Sequence, residues 1–472
     1  MAKTYFFYDL ETSGLNPREH RIMQFAGIRT DENLKQIGEP YNVLVKLNDD
    51  TLPSPEALMV TGISPQSTLL DGYTEAEFAK ILEEEIFTPG TTAIGFNNIR
   101  FDDEFIRHLF WRNFHDAYEW SWKDLRSRWD LLDVVRMTRA LRPEGINWPV
   151  DSEGKATNRL ELLTKENGID HLKAHDALSD VEALIAITDL IRTKQPQLYN
   201  YLFSMKDKKQ VQKLVNLENK NPFVYTSGRY SAEFEKTTIA FPLTAGKNNS
   251  IVVYDLRYDP TQFFELSEKQ LADILFAKWE DRQKEDFVAL PVKELKYNQA
   301  PAIAPISVLN KENGWEKISL NSDIIEENQK ILLSRPDFAE KIRSIYEKRP
   351  EFKKNTDPEA QLYDSFLPDK DKALLNAVKN ADSNKLADFN PNFIDERLPE
   401  LLLHYKARNY PSSLSEEESV KWEQWRADHI NKQIPDFIKS MQKLSTENLS
   451  EDKSYMLEEL KLWAESIMPE NN

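Results

Sequence analysis

The residues best suited to chemistry begin with two acids near the amino terminus, Asp9 and Glu11. They follow an apolar run, residues 4–8, which predicts a β-strand, and a Thr-Ser-Gly turn comes after them. Side chains two residues apart on a strand point to the same side, so the two carboxylates would repel each other unless a cation lay between them. Hard cations such as Mg2+ prefer carboxylate oxygens. The pair therefore predicts a divalent-metal site, and the alternative is a strand that ends in an ordinary polar turn.

Two further acids and a histidine stand where they could complete such a site. Asp102 follows a short apolar strand, residues 92–96, and Asp180 lies near the start of a long predicted helix, five residues after His175. Four carboxylates can hold two divalent cations for phosphodiester hydrolysis, and a histidine can accept the proton of the attacking water. Each residue also has a structural alternative, because Asp102 can cap a helix, Asp180 can favour a helix dipole and His175 can be a surface histidine.

The elements that must position these residues fall into three predicted regions. The first, residues 1–202, begins with a three-stranded meander, continues with helices and one more strand, and has its meander strands at 4–8, 21–29 and 41–47. The second, residues 203–347, indicates a small barrel, with β-like runs at 223–226, 238–243, 251–256, 287–292 and 302–308. The third, residues 348–472, has helical periodicity and a capping box at Ser415, and predicts a helical bundle.

Composition limits the classes of protein. The 472 residues favour several domains. There is no cysteine, which excludes disulfides, thiolate zinc sites and cysteine nucleophiles. No run approaches the roughly 20 apolar residues of a membrane-spanning helix, and no signal-peptide pattern is present. We therefore expect a cytoplasmic protein.

The net charge of −18 argues at first against a nucleic-acid partner, since phosphate binding depends on Lys and Arg. A local basic surface can coexist with that charge. Residues 120–129 alternate cations, which suit phosphates, with indoles, which suit unpaired bases. The cations are Lys123, Arg126 and Arg128, and the indoles are Trp120, Trp122 and Trp129. The alternative for the indoles is packing in a core.

Three segments resemble the exonuclease motifs of the DnaQ-like superfamily in its DEDDh branch, namely FYDLETSG, NNIRFDDEF and HDALSDVEALIAI. In that branch a histidine precedes the last aspartate by five residues, as His175 precedes Asp180. Beyond these motifs, the chain resembles the bacterial exodeoxyribonuclease I family over essentially its whole length. It is carried by residues 118–129, 140–149 and 159–180, and more weakly by 292–304 and 360–411.

The resemblance implies an α/β RNase H-like (DnaQ-like) exonuclease domain, followed by an SH3-like β-barrel domain and an all-α C-terminal domain. It implies processive 3′ to 5′ hydrolysis of single-stranded DNA to 5′-mononucleotides, in DNA repair and recombination. The implied cofactor is Mg2+, with two ions per active site, or Mn2+ in its place. The implied metal ligands are Asp9, Glu11, Asp102 and Asp180, with His175 as general base. The family pattern places a ligand directly after Phe, which favours Asp102 over Asp103.

The resemblance also implies contacts with substrate and partner. The candidate substrate-binding residues are Thr12, Gly14, Trp122, Lys123, Arg126 and Arg128. The implied protein partner is the acidic C-terminal tail of single-stranded-DNA-binding protein, which docks on a basic pocket to which Arg142 and Tyr201 correspond. We expect a monomer that acts on DNA with a free 3′ end.

Three other functions compete with this hypothesis. An exoribonuclease of the same superfamily and a polymerase proofreading subunit would share the catalytic residues, but the added barrel and helical bundle argue against both. A non-catalytic scaffold that binds nucleic acid is the alternative from a different class. It has no physical need for four clustered acids.

Overall fold

The computed structural model describes residues 3–169, 176–349 and 355–469. The strands in these ranges are β1 Thr4–Thr12, β2 Ile22–Thr30, β3 Tyr41–Leu44, β4 Thr91–Gly95, β5 Ser127–Asp130, β6 Phe223–Thr226, β7 Thr237–Ala245, β8 Ser250–Asp255, β9 Val292–Lys296 and β10 Ala302–Pro305. The helices are α1 Pro55–Thr61, α2 Pro65–Asp71, α3 Glu75–Ile81, α4 Asp102–Arg112, α5 Leu131–Leu141, α6 Leu160–Glu166, α7 Ala177–Lys194, α8 Pro196–Ser204, α9 Lys208–Leu214, α10 Thr261–Phe264, α11 Glu268–Leu275, α12 Trp279–Arg282, α13 Gly314–Lys317, α14 Ser322–Leu333, α15 Pro336–Glu347, α16 Asp369–Lys379, α17 Leu398–Asn409, α18 Glu416–Ser445 and α19 Glu451–Ile467. A π-helical turn, Leu82–Ile86, extends α3.

The described residues fall into two compact units. One is drawn from Met1–Ser127, His171–Ile185 and Lys353–Asn472, and the other from Arg128–Asp170 and Ala186–Phe352. The predicted boundaries at 202/203 and 347/348 stay predictions. No helix in the described part of the chain is long and apolar enough to cross a membrane.

The first sheet has the strand order β3-β2-β1-β4-β5, and β1 lies at its centre. The predicted meander is confirmed, because β2 pairs antiparallel with both β1 and β3. Strand β1 is parallel to β4, from Thr4 opposite Thr91 to Phe7 opposite Ile94. Consecutive residues of β1 are fully buried on both faces, as expected for a central strand that carries helices on each side.

The carboxyl-terminal helices pack on the same unit as this sheet. One apolar cluster joins β1 and β2 to α3 and α4, and includes side chains of α16 and α17. A second joins Met23 of β2 and Leu58 of α1 to α18 and α19. The capping box at Ser415 is confirmed and begins the long helix α18. The helical region therefore shares hydrophobic cores with the elements that carry the first two acids.

The second unit contains an antiparallel sheet of order β10-β6-β7-β8-β9. Its buried core includes Phe223, Ile251 and Ile303. The predicted strand at 287–292 is wrong, because the paired strand begins at Val292. Pro291 lacks a backbone N–H and cannot donate to a ladder. The predicted strand at 302–308 likewise ends at Pro305, where a 3-10 turn, Ile306–Asn310, follows.

Candidate metal centre

Three acids from two elements meet beyond the end of the parallel part of the sheet. The pairing of β1 with β4 stops at Phe7, whereas the pairing with β2 continues through Asp9 and Glu11, which lie opposite Ala26 and Gln24. Asp180 lies in the first turn of α7. Asp9, Glu11 and Asp180 each offer a carboxylate oxygen, and these oxygens all lie within 4.8 Å of one another. The predicted projection of Asp9 and Glu11 to one side is confirmed.

The electrostatics of this group favour a bound cation. Burial, followed by the charge of Asp180, raises the pKa of Asp9 to about 8. Burial also raises the pKa of Glu11 to about 9, with further contributions from Asp9, Asp180 and Asp176. The group therefore carries unbalanced negative charge when ionised. A divalent cation with a preference for oxygen ligands would remove that repulsion, so these residues fit a metal ion.

Asp102 and Asp103 differ in their surroundings. Asp102 is the first residue of α4 and is 4% exposed. The residue before it, Phe101, occupies the N-cap position without a side-chain cap, so the capping alternative for Asp102 is not supported. Asp103 is fully buried and accepts hydrogen bonds from the Tyr8 hydroxyl and from Asn98 Nδ2, the latter at 3.3 Å. These contacts give Asp103 a structural role.

Asp102 lies at the same edge of the sheet as the acid group but is not one of its three members. The loop after β4 leads to it, and β4 runs parallel to β1. Burial and the charges of Asp103 and Asp102 raise the pKa of Tyr8, the neighbour of Asp9 in β1. The assignment of Asp102 as a metal ligand stays a prediction.

The predicted general base, His175, lies outside the described residues. The residue after it, Asp176, accepts a hydrogen bond from the backbone N–H of Ser179 at 3.2 Å, a helix-capping contact at the start of α7. Asp176 also raises the pKa of Glu11. Asp176 was not among the predicted site residues, although an aspartate immediately before a run with helical periodicity, here from Ala177, is a recognisable cap signal.

The turn after Glu11 is tightly built. The ladder between β1 and β2 shifts register between Glu11 and Thr12. The Thr12 hydroxyl donates to the Gly14 carbonyl at 2.8 Å. A Cβ on Gly14 would lie 2.3 Å from the imidazole of His20, so any larger residue there would force that ring to move. Thr12 and Gly14 are therefore near the acid group in sequence and in space, and substrate binding by them stays a prediction.

The basic aromatic segment, residues 120–129, approaches the start of β4 at Asp124. Gly90, just before β4, donates its N–H to the Asp124 carbonyl at 3.0 Å, and the first residue of β4 pairs with Thr4 at the start of β1. Glu11 lies seven residues further along β1, about 23 Å away at roughly 3.3 Å per residue. The part of the segment around Asp124 therefore lies near the end of β1 that is remote from Glu11.

The predicted substrate residues of that segment have separate environments. Trp122 is 64% exposed, Lys123 pairs with Glu119 at 2.6 Å, and Arg126 donates to the Phe87 carbonyl at 2.6 Å. Trp120 is buried in the hydrophobic core, which agrees with core packing, the alternative given above for the indoles. In the second unit, Trp129 is buried against aromatic rings, and the buried Arg128 donates to the Asn298 carbonyl at 3.3 Å.

The predicted partner residues both lie in the second unit. Arg142 donates to the Val308 carbonyl at 2.9 Å and lies 3.5 Å from a carboxylate oxygen of Glu312. Tyr201 is half-buried against the core of the antiparallel sheet, and burial raises its pKa. The structure gives both residues local contacts, and their role in partner binding stays a prediction.

The chain is similar to known proteins over most of its length. The Exonuclease family matches residues 6–188, the Exonuclease I SH3-like domain family residues 206–348, and the Exonuclease I C-terminal domain family residues 356–467. Exodeoxyribonuclease I of Haemophilus influenzae is 39% identical over 443 residues, which is 93% of each chain.

Solved structures show the same relationship. Exonuclease I of Escherichia coli in complex with a dA16 oligonucleotide has a TM-score of 0.95 and 37% identity, over 99% of this chain and 100% of that one. A zinc-bound form of the E. coli enzyme with single-stranded DNA has a TM-score of 0.94 at the same identity and coverage. These matches confirm the expected order of an exonuclease domain, an SH3-like domain and a helical C-terminal domain. The chain belongs to the exodeoxyribonuclease I family.

Proposed function

We propose that this chain is a processive, metal-dependent 3′ to 5′ exonuclease that degrades single-stranded DNA to 5′-mononucleotides, in DNA repair and recombination. The observation that carries the proposal is the convergence of Asp9, Glu11 and Asp180 within 4.8 Å. Family membership supports the same reaction, since E. coli exonuclease I has been solved in complex with dA16 and dT13 oligonucleotides. The acids explain why such a chain would act on phosphodiesters.

The residues of the chain divide the work of the reaction. Asp9, Glu11 and Asp180, joined by Asp102, would hold Mg2+, or Mn2+ in its place. The bound ions would supply activation of water and charge stabilisation at the phosphate. His175 is the proposed acceptor of the proton from the attacking water. Thr12 and Gly14, in the turn that follows Glu11, are the proposed contacts to the terminal nucleotide.

The remaining contacts of the substrate are assigned to the basic aromatic segment. The part of the segment around Asp124 lies near the start of β1, about 23 Å from Glu11 at roughly 3.3 Å per residue, and would meet nucleotides several positions from the cleaved bond. The exposed indole of Trp122 offers a face for a base. Lys123, Arg126 and Arg128 are the proposed phosphate contacts, although each already has a partner within the protein.

The test of this function is the product and polarity of cleavage. A single-stranded DNA labelled at its 5′ end should shorten progressively from its 3′ end with Mg2+ and release 5′-mononucleotides. A DNA blocked at its 3′ end should resist. A matched RNA that is cut faster than DNA would instead support the exoribonuclease alternative, and DNA binding without cleavage would support the scaffold.

We also propose that the monomeric enzyme binds the acidic C-terminal tail of single-stranded-DNA-binding protein. Arg142 and Tyr201 are the proposed contacts. An Arg142→Ala variant should keep its cleavage of free DNA but lose stimulation by the partner protein. A peptide with the tail sequence should bind the wild type and bind the variant several-fold more weakly. An unchanged response of the variant would overturn the assignment.

A further inference from the structure

A cluster of buried ions lies in the same unit as the metal centre. It contains three arginines and three carboxylates, whose side chains are all 2% exposed or less: Arg21, Arg112, Arg408, Asp50, Glu75 and Glu359. Charges are rarely buried to this extent unless they are paired. Glu359 and Arg408 come from the carboxyl-terminal helical region, and the other four come from the first 112 residues. The cluster therefore links two distant parts of the chain.

Glu359 is the centre of that link. Its Oε2 accepts from Arg21 at 2.9 Å, and its Oε1 lies 2.5 Å from Arg408 and 2.7 Å from Nδ1 of His404. Together with Asp357, Glu359 and His404 could be taken for a second metal site. Both oxygens of Glu359 are already bound by cations or a ring nitrogen, however, and a divalent ion would lie beside two guanidinium groups. Ion pairing is the better account of this cluster.

Arg21 carries the link to the turn that follows the catalytic acids. Its backbone N–H donates to the Ser13 hydroxyl at 2.9 Å, and its carbonyl accepts from the Ser13 N–H at 2.9 Å. The pairing of β1 with β2 shifts register between Glu11 and Thr12. The two hydrogen bonds between Ser13 and Arg21 therefore join the two chain segments again just after that shift. The guanidinium of Arg21 is in turn held by Glu359.

A second connection reaches the same serine from another direction. The Ser13 carbonyl accepts from the backbone N–H of Ser54 at 2.7 Å. The segment before Ser54 is held by carboxyl-terminal helices, because Trp463 donates to the Thr51 carbonyl at 3.0 Å and Gln433 accepts from the Leu52 N–H at 3.1 Å. Asp50 of that segment pairs with Arg408 at 2.6 Å.

We infer that the carboxyl-terminal helices hold the catalytic turn in place, with Arg21 and Ser13 as positioning residues for Glu11 and with Glu359 as their anchor. Substrate contact by the helical region is not required for this role. All three bonds of Ser13 lead to elements that the carboxyl-terminal region fixes. The role rests on the proposed metal-dependent exonuclease, because it concerns the alignment of a proposed metal ligand.

Two variants test this inference at different points of the connection. Glu359→Gln removes the anchoring charge, and Ser13→Ala removes the acceptor of the Arg21 N–H while leaving the ion cluster intact. In both we expect the dissociation constant of Mn2+, measured by electron paramagnetic resonance of the free ion, to rise at least fivefold. We also expect kcat on single-stranded DNA to fall at least tenfold, with KM within twofold of wild type.

Glu83→Gln is the matched control. Glu83 also joins the two parts of the chain, since it pairs with Lys379 of α16 at 2.6 Å and with His115 at 3.0 Å, but it has no described contact with Ser13 or Arg21. This variant should match wild type within twofold in Mn2+ binding, kcat and KM. An equal defect in Glu83→Gln would reduce the effect to general packing and overturn the inference.

The remaining outcomes are also decisive. Wild-type Mn2+ binding and kcat in a folded Ser13→Ala variant would overturn the inference, even where Glu359→Gln failed to fold. A wild-type protein that bound no Mn2+ and cut no DNA would instead refute the proposed function. The two failures are therefore distinguishable in one set of measurements.

Discussion

Metal binding to the acid group should release protons, and their number follows from the structure. The pKa of Asp9 is raised to about 8 and that of Glu11 to about 9. At pH 7 both groups would be mostly protonated, and their ionisation would cost about 1 and about 3 kcal/mol. Carboxylates bind metals in the ionised form. Binding at pH 7 should therefore release about two protons from the pair, taken together as one coupled system.

Calorimetric titration with Mn2+ in two buffers of different ionisation enthalpy measures this number. We expect release near two protons at pH 7, falling as the pH rises toward 9, and an affinity that tightens over the same range, since up to about 4 kcal/mol ceases to oppose binding. A Glu11→Gln variant should release about one proton fewer. Binding without proton release, and with an affinity independent of pH, would refute the electrostatic account of the site.

Three further predictions concern individual side chains. Gly14→Ala should lower the free energy of unfolding by about 1 to 3 kcal/mol and reduce activity, because the new Cβ would meet the His20 ring at 2.3 Å. In thermal melts the double variant with His20→Ala should regain stability, and no recovery would contradict the contact. Asp103→Ala should lower the free energy of unfolding by about 1 to 3 kcal/mol in urea titrations, since the Tyr8 hydroxyl loses its acceptor. Asp102→Asn should lose activity while its free energy of unfolding stays within about 1 kcal/mol of wild type. The reverse pattern would make Asp103 the metal ligand and Asp102 the structural residue. Trp122→Ala should leave stability unchanged because the indole is 64% exposed. It should raise KM for long oligonucleotides but not for trinucleotides. An equal rise in KM for both lengths would contradict a contact between Trp122 and nucleotides distant from the cleaved bond.

The sequence predicts those parts of the molecule that depend on local spacing. The alternation of Asp9 and Glu11 on a strand was sufficient to predict their common direction, and the apolar runs located most strands to within a few residues. The strand predicted at 287–292 failed because its apolar residues lie before Pro291, while the paired residues after it are largely polar. Pairing with β8 outweighs the local hydrophobic pattern there.

The buried ion cluster could not be found from the sequence. Arg21 and Glu359 are 338 residues apart, and each is an ordinary charged residue in a polar segment. For the basic aromatic segment the sequence suggested a relation that the structure does not show. Its composition predicted that the indoles and cations form one surface. The structure places Trp120 in a core and Trp122 in solvent. Three-dimensional contacts, and not residue type, separate these roles.

Asp9, Glu11 and Asp180 are proposed to form the metal centre of a single-stranded-DNA exonuclease. The most direct test of this proposal is cleavage of a 5′-labelled single-stranded DNA by wild type and by Asp180→Ala, each with Mg2+ and with EDTA. We expect shortening from the 3′ end only in wild type with Mg2+. Cleavage that persisted in Asp180→Ala, or that survived EDTA, would contradict it.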